Sequence, residues 1–162
     1  MAIKGRTIAG AGGLAAAIAL IIPVIQQWEG YEPRPYKDIV GVLTVCYGHT
    51  GPEIRPKAIY TDAECTDLLE KDIEKFASGV IKITPKIEDK PYVLASAISF
   101  SYNVGLGNYK KSSVAKNFNK EDYALGCAYM MVYNRAGGKY VQGLQNRRED
   151  EFSICIKEVT ND

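Results

Sequence analysis

Residues 8–25 form an unbroken run of apolar and small side chains, with Lys4 and Arg6 before it and no further charge until Glu29. A chain carrying such a run must either bury it or place it in a bilayer. As a helix, its 18 residues would span roughly 27 Å, just short of a hydrocarbon core of about 30 Å. The basic residues on the N-terminal side alone orient it with the N-terminus inside and the rest of the chain outside. Six alanines and three glycines make the run only weakly hydrophobic.

Three membrane readings and one soluble reading compete. A cleaved signal peptide needs a small-x-small site, and the residues from Pro23 to Trp28 supply a poor one. A permanent anchor would be richer in Leu, Ile, Val and Phe. A buried core helix is the plainest alternative, although nine Ala and Gly in eighteen positions would pack thinly. The expectation is therefore a weak, uncleaved anchor that inserts and later leaves the bilayer, with residues 1–28 as that segment and 29–162 as the exported domain.

Removing Lys4 and Arg6 from the chain's 20 basic residues leaves 18 against 19 acidic ones, a near-neutral exported domain. That balance excludes nucleic-acid binding through bulk charge. A single histidine, His49, and cysteines without zinc-ligand spacing exclude the usual metal sites, so no metal or cofactor is expected. In an oxidising compartment Cys46, Cys65, Cys127 and Cys155 are expected to pair. Of the three connectivities, Cys46–Cys65 with Cys127–Cys155 is favoured because each closes a modest loop; the others stay open.

Beyond Trp28 the pattern is a small sheet followed by helices. Residues 30–35 are turn-rich, and 40–47 (VGVLTVCY) read as a small hairpin. Thr61 and Glu64 form a capping box opening a helix through Leu68, Leu69, Ile73 and Phe76. A second helix is expected over 91–103, starting on Pro91 and broken at Gly105 and Gly107, with more over 113–119, 123–133 and 143–157. The expected class is α+β, with a small hairpin lobe, a larger helical lobe and a cleft between them.

Glu29, Glu32 and Asp38 concentrate acid near the front. Glycoside hydrolysis needs one protonated carboxyl group and a second, ionised one. Glu29, after Trp28 and the apolar run, would sit at a helix end beside apolar side chains, which favours the protonated form. Asp38, in a turn, would stay ionised, and Thr44 in the strand could help hold a water. From spacing alone, two acids nine residues apart are better read as part of a plain surface turn.

Glu29-Gly30-Tyr31, Tyr36, Asp38, Thr44 and the pair Gly48-His49 together resemble the catalytic front of phage-type lysozymes, glycoside hydrolase family 24. SFSYNVGLGNYKKSS (99–113) and AGGKYVQGLQNRRE (136–149) are also similar to that family, so the resemblance covers about residues 28–155. With the apolar run, the whole chain is most similar to signal-anchor-release endolysins of lambdoid phages.

The resemblance implies a lysozyme-like fold and a muramidase acting on the β-1,4 bonds of peptidoglycan. In it Glu29 is the general acid, while Asp38 and Thr44 activate water with inversion. Tyr102 and Ser112 match cleft-lining positions, although Tyr102 equally suits the core. His49 reads as a structural hydrogen-bonding partner, with a proton shuttle as the alternative. Arg147 and Arg148 read as a solvated or salt-bridged face, with a cleft role as the alternative. Where the family often carries a tryptophan before position 136, this chain has Tyr133-Asn134-Arg135. The implied partners are the inner membrane through residues 8–25 and a holin or pinholin, and a monomer is expected. The catalytic domain is expected in the periplasm, tethered until the anchor is released. A lytic transglycosylase and a non-catalytic wall-binding protein are the alternative functions.

Overall fold

The computed structural model describes residues 8–160, with side chains from residue 12 onward. Lys4 and Arg6, on which the orientation reading rests, lie outside the described residues. Helix α1 (Ile8–Glu29) contains the whole apolar run and ends on Glu29 without a break at residue 28. Its stretch Gly12–Glu29 is long and apolar enough to cross a membrane. Here it is instead packed against the domain. Ala17, Ile21 and Ile25, spaced four apart on one face, are fully buried with residues of α2 (Asp62–Ile83) and α3 (Pro91–Val104).

The small residues of the run give close approach rather than thin packing. A Cβ on Gly13 would come within 2.9 Å of the Glu88 carbonyl oxygen, so any larger residue would push α1 off the neighbouring segment. Pro23 removes the helical bond to the Ala19 carbonyl, and both residues lie on the exposed side, where water can replace it.

Helix α3 is the centre of the helical lobe. Every residue from Val93 to Ser101 is buried, the signature of a helix surrounded by others. Helix α2 opens with the reciprocal capping box: Thr61 Oγ1 accepts from the Glu64 N–H (3.2 Å), and Glu64 Oε2 accepts from the Thr61 N–H (2.8 Å). Its buried stripe serves both lobes. Cys65 and Leu68 face the sheet's cluster with Val45, Ile54 and Tyr60, while Leu69, Ile73, Ala77 and Val80 enter the main core.

The sheet is antiparallel in the order β1 (Glu32–Lys37), β2 (Leu43–Cys46), β3 (His49–Thr50). It starts earlier than the turn-rich composition of 30–35 suggested. Pro33 and Pro35 lie in β1, an edge strand, where missing N–H groups are tolerated, and a register irregularity between Glu32 and Tyr36 absorbs them. Conversely, residues 40–42 belong to the turn, since Gly41 takes φ +84° and strand β2 begins only at Leu43.

The later helices are α4 (Leu106–Lys111), α5 (Ser113–Asn119), α6 (Tyr123–Met130), α7 (Gln142–Cys155) and α8 (Lys157–Thr160). Helix α6 stops three residues short of the expected 133. Gly137 and Gly138, both at positive φ, turn an unexpected hairpin between β4 (Arg135–Ala136) and β5 (Lys139–Tyr140). Disulfides join Cys46 to Cys65, between β2 and α2, and Cys127 to Cys155, between α6 and α7.

Candidate active site

Glu29, the last residue of α1, receives a 2.6 Å bond from Arg147 Nη1 of α7. The Arg147 side chain is only 4% exposed, against 22% for Glu29, so the pair sits at the mouth of the core rather than in open solvent. Arg147 is itself held on three sides. Its Nε donates to Glu151 Oε1 (3.3 Å), its Nη2 donates to the Ser99 carbonyl (3.2 Å), and Glu29 takes the remaining arm. A guanidinium with every arm committed is a fixed bracket for the carboxylate it meets.

Behind it lies a buried charge cluster. Glu151, fully buried, accepts from Ser99 Oγ (2.7 Å), from Arg147 and from Arg148 Nη2 (3.1 Å). Burial pushes its carboxyl above the usual range, partly offset by Arg148, the Ser99 hydroxyl and Arg147. Arg148 lies over the Phe100 ring at 5.0 Å and donates to Asn103 Oδ1 (2.9 Å). The two arginines are therefore salt-bridged, but in the interior rather than on a solvated face. Glu29 meets a guanidinium where the sequence suggested only apolar neighbours. The signal was present in the run Arg147-Arg148-Glu149-Asp150-Glu151, whose spacings of three and four put 147, 150 and 151 on one helix face.

The second carboxylate stands on the sheet lobe. Asp38 Oδ1 accepts the N–H groups of Val40 and Val42, both at 2.9 Å, and the turn is closed by Asp38 N–H to the Val42 carbonyl and Gly41 N–H to the Asp38 carbonyl. Thr44 is 5% exposed, opposite Tyr36 in the register, and its hydroxyl donates to the Val42 carbonyl (3.1 Å). Val42 thus fixes Asp38 through its N–H and Thr44 through its C=O. The Thr44 hydroxyl keeps its lone pairs as acceptors.

The other candidates fall in structural positions. His49 is 4% exposed and bridges Asp72 (Nδ1, 2.8 Å) and Glu53 (Nε2, 2.8 Å), binding the sheet to α2 with both ring nitrogens occupied. The Tyr102 hydroxyl donates to the Tyr47 carbonyl (3.2 Å) and its ring packs on Phe76 at 4.9 Å, so it ties the lobes together; burial pushes its phenol up. Ser112 is buried as the N-cap of α5, accepting from the Ala115 N–H (3.1 Å) and donating to the Tyr109 carbonyl (2.6 Å). Its hydroxyl is thus engaged within the chain as both donor and acceptor. Tyr133 packs edge-on against Phe100 at 4.9 Å. A groove of about 600 Å³ opens beside the Arg148–Asn103 contact, lined in part by Lys111, Tyr133 and Arg135.

The sequence model of the phage lysozyme family matches residues 26–151. The chain is 42% identical over 161 residues to a SAR-endolysin of bacteriophage PS34, covering 96% of this chain and 95% of that protein. It is 40% identical over 160 residues to a SAR-endolysin of Enterobacteria phage P21, covering 95% of each. Among solved structures, the active form of the P1 phage endolysin Lyz superposes with a TM-score of 0.74 at 21% identity, over 92% of this chain and 96% of that one. At that identity the likeness is one of fold.

Proposed function

The chain belongs to the phage lysozyme family, and from that premise we propose how its residues carry out the reaction. The protein is an endolysin, a muramidase that opens the peptidoglycan of the host and lyses the cell. In our reading Glu29 delivers a proton to the glycosidic oxygen of the muramic acid–glucosamine link. Asp38 and Thr44 hold and activate a water on the opposite face of the sugar, and the anomeric configuration inverts. No step calls for a metal or cofactor. The single observation that carries this assignment is the placement of the two carboxylates. Arg147 holds the Glu29 carboxyl in place on the helical lobe, and two backbone N–H groups pin Asp38 on the sheet lobe. The contact with Arg147 supports the position of Glu29, while its role as proton donor is carried over from the resemblance to the phage lysozyme family.

The packing of α1 supports a second part of the reading. The helix that is apolar enough to span a bilayer is the same helix that ends on Glu29 and buries Ala17, Ile21 and Ile25. While it is in the inner membrane, its Glu29 end cannot occupy the place beside Arg147 and α3. Residues 1–28 thus serve as a removable tether, with 29–162 held idle in the periplasm, and release into the periplasm assembles the site. A holin or pinholin would be the functional partner, and the enzyme would act as a monomer. Lys111 and Arg135 line the groove beside the Arg148–Asn103 contact, which Glu29, Asp38 and Thr44 do not line, and their charges suit the carboxylates of peptidoglycan.

The test is to digest purified peptidoglycan with the wild-type protein and with Glu29→Gln, and to identify the new sugar ends. Reducing muramyl ends from the wild type alone are expected. Anhydro-muramyl ends would move the assignment to a lytic transglycosylase, and binding to the wall without turnover would mark a non-catalytic protein.

A further inference from the structure

Helix α1 faces two demands that conflict. A segment able to enter a bilayer must be apolar on every side, yet a helix that delivers a catalytic side chain must dock in one rotation. The apolar stripe of α1, Ala17, Ile21 and Ile25, sets which face docks, but it stops short of the last turn, where no residue from Gln26 to Glu29 is buried. Leu20, on another side, is left 37% exposed.

The polar end of the helix supplies what the apolar part lacks. Trp28 donates its indole N–H to Asp150 Oδ2 at 3.1 Å, and the next residue, Glu29, meets Arg147 at 2.6 Å. Consecutive residues on a helix project about 100° apart, whereas positions three apart on α7 share a face. Two bonds from diverging side chains of α1 to one face of α7 fix both the rotation and the axial position of the last turn. Without the indole bond the last turn would keep the Glu29–Arg147 pair and only a long contact from the Gln26 amide to the Tyr47 hydroxyl (3.4 Å), which is directed at the sheet lobe rather than at α7.

We propose that Asp150 is a positioning residue for Glu29: by accepting the Trp28 indole N–H, its carboxylate locks the rotation in which α1 presents the catalytic acid. Asp150 acts through Trp28 and does not touch substrate. This clasp, like the Glu29–Arg147 pair, joins α1 to α7 and so exists only when α1 is docked on the domain. The inference rests on the assignment of Glu29 as general acid.

The experiment is steady-state kinetics of the full-length, vesicle-free protein on solubilised glycan chains, for Trp28→Phe, Asp150→Leu, the double variant and Asp150→Asn, each with its thermal unfolding. Trp28→Phe keeps a ring without a donor, and Asp150→Asn keeps an acceptor oxygen without the charge. Trp28→Phe and Asp150→Leu are each expected to lower kcat on the order of 10- to 10²-fold, with KM nearly unchanged. The double variant should be no slower than either single one, because all three lack the same bond. Asp150→Asn should recover most of the rate.

A wild-type kcat in Asp150→Leu, multiplying effects in the double variant, or Asp150→Asn as slow as Asp150→Leu would each overturn the proposal. Should Asp150→Leu fail to fold, Trp28→Phe decides alone, and an unchanged kcat there overturns it. A wild-type protein that releases no sugar ends, or a fully active Glu29→Gln, would instead defeat the underlying assignment.

Discussion

Arg147 and Glu29, 118 residues apart in the chain, meet at 2.6 Å and join the last turn of α1 to α7. Because all three arms of the guanidinium are used, Arg147→Lys should not be a mild change. An ammonium cannot span Glu29, Glu151 and the Ser99 carbonyl together. Turnover of peptidoglycan is expected to fall by about 10²-fold, the order associated with a misplacement of about 1 Å. Kinetics on solubilised glycan would show the loss mainly in kcat.

Glu151 balances two buried arginines, so removing it strands both. Glu151→Ala is predicted to lower stability by roughly 3–5 kcal/mol, the range for breaking a buried ion pair from one side. Urea unfolding followed by near-ultraviolet dichroism would measure this. Near-neutral behaviour would mean that the cluster is more hydrated than its burial indicates.

The disulfides differ in what they support. They close loops of 19 and 28 residues, each worth about 3 kcal/mol by loop entropy. Cys46 is two residues from Thr44, whereas Cys127–Cys155 joins α6 to the end of α7. Replacing Cys127 and Cys155 with alanine should lower the unfolding temperature while leaving kcat at a permissive temperature close to wild type. Replacing Cys46 and Cys65 should reduce both.

Acid and alkali should each loosen the sheet lobe. Glu53 lies below its ordinary value of 4.5 because of a backbone hydrogen bond and His49, and Glu64 does so because of the Thr61 N–H and Arg55. Depressed carboxyls contribute stability above their unfolded value and lose it as pH falls through the lower folded one. Stability should therefore decline below about pH 4.5, less steeply in Glu64→Gln. Tyr31, hydrogen-bonded to Asp62, is raised from 10 to about 12. Its contribution is complete below pH 10 and disappears as pH rises through 12, so Tyr31→Phe should flatten the alkaline limb of a melting-temperature profile.

Much of this was legible in the sequence because local chemistry decided it. Thr61 with Glu64 marked the start of α2, Pro91 the start of α3, and Asp38 a turn whose carboxylate takes backbone N–H groups. What stayed hidden depended on partners distant in sequence. Nothing near Glu29 announces a guanidinium 118 residues away, and Ser112 carries no local sign of whether its hydroxyl faces substrate or caps α5. Strand β1 was masked by Pro33 and Pro35, which read as turn residues until its edge position is known. The apolar run was the most ambiguous element, since one sequence suits both a bilayer and the groove beside α3.

That double fitness is the centre of the account, and it can be measured directly. Full-length protein is inserted into phospholipid vesicles, the vesicle-bound and vesicle-free fractions are separated, and each is given the same solubilised peptidoglycan. The account predicts new reducing sugar ends from the vesicle-free fraction alone, because only there can α1 bring Glu29 to Arg147. Equal turnover by the vesicle-bound protein would contradict it.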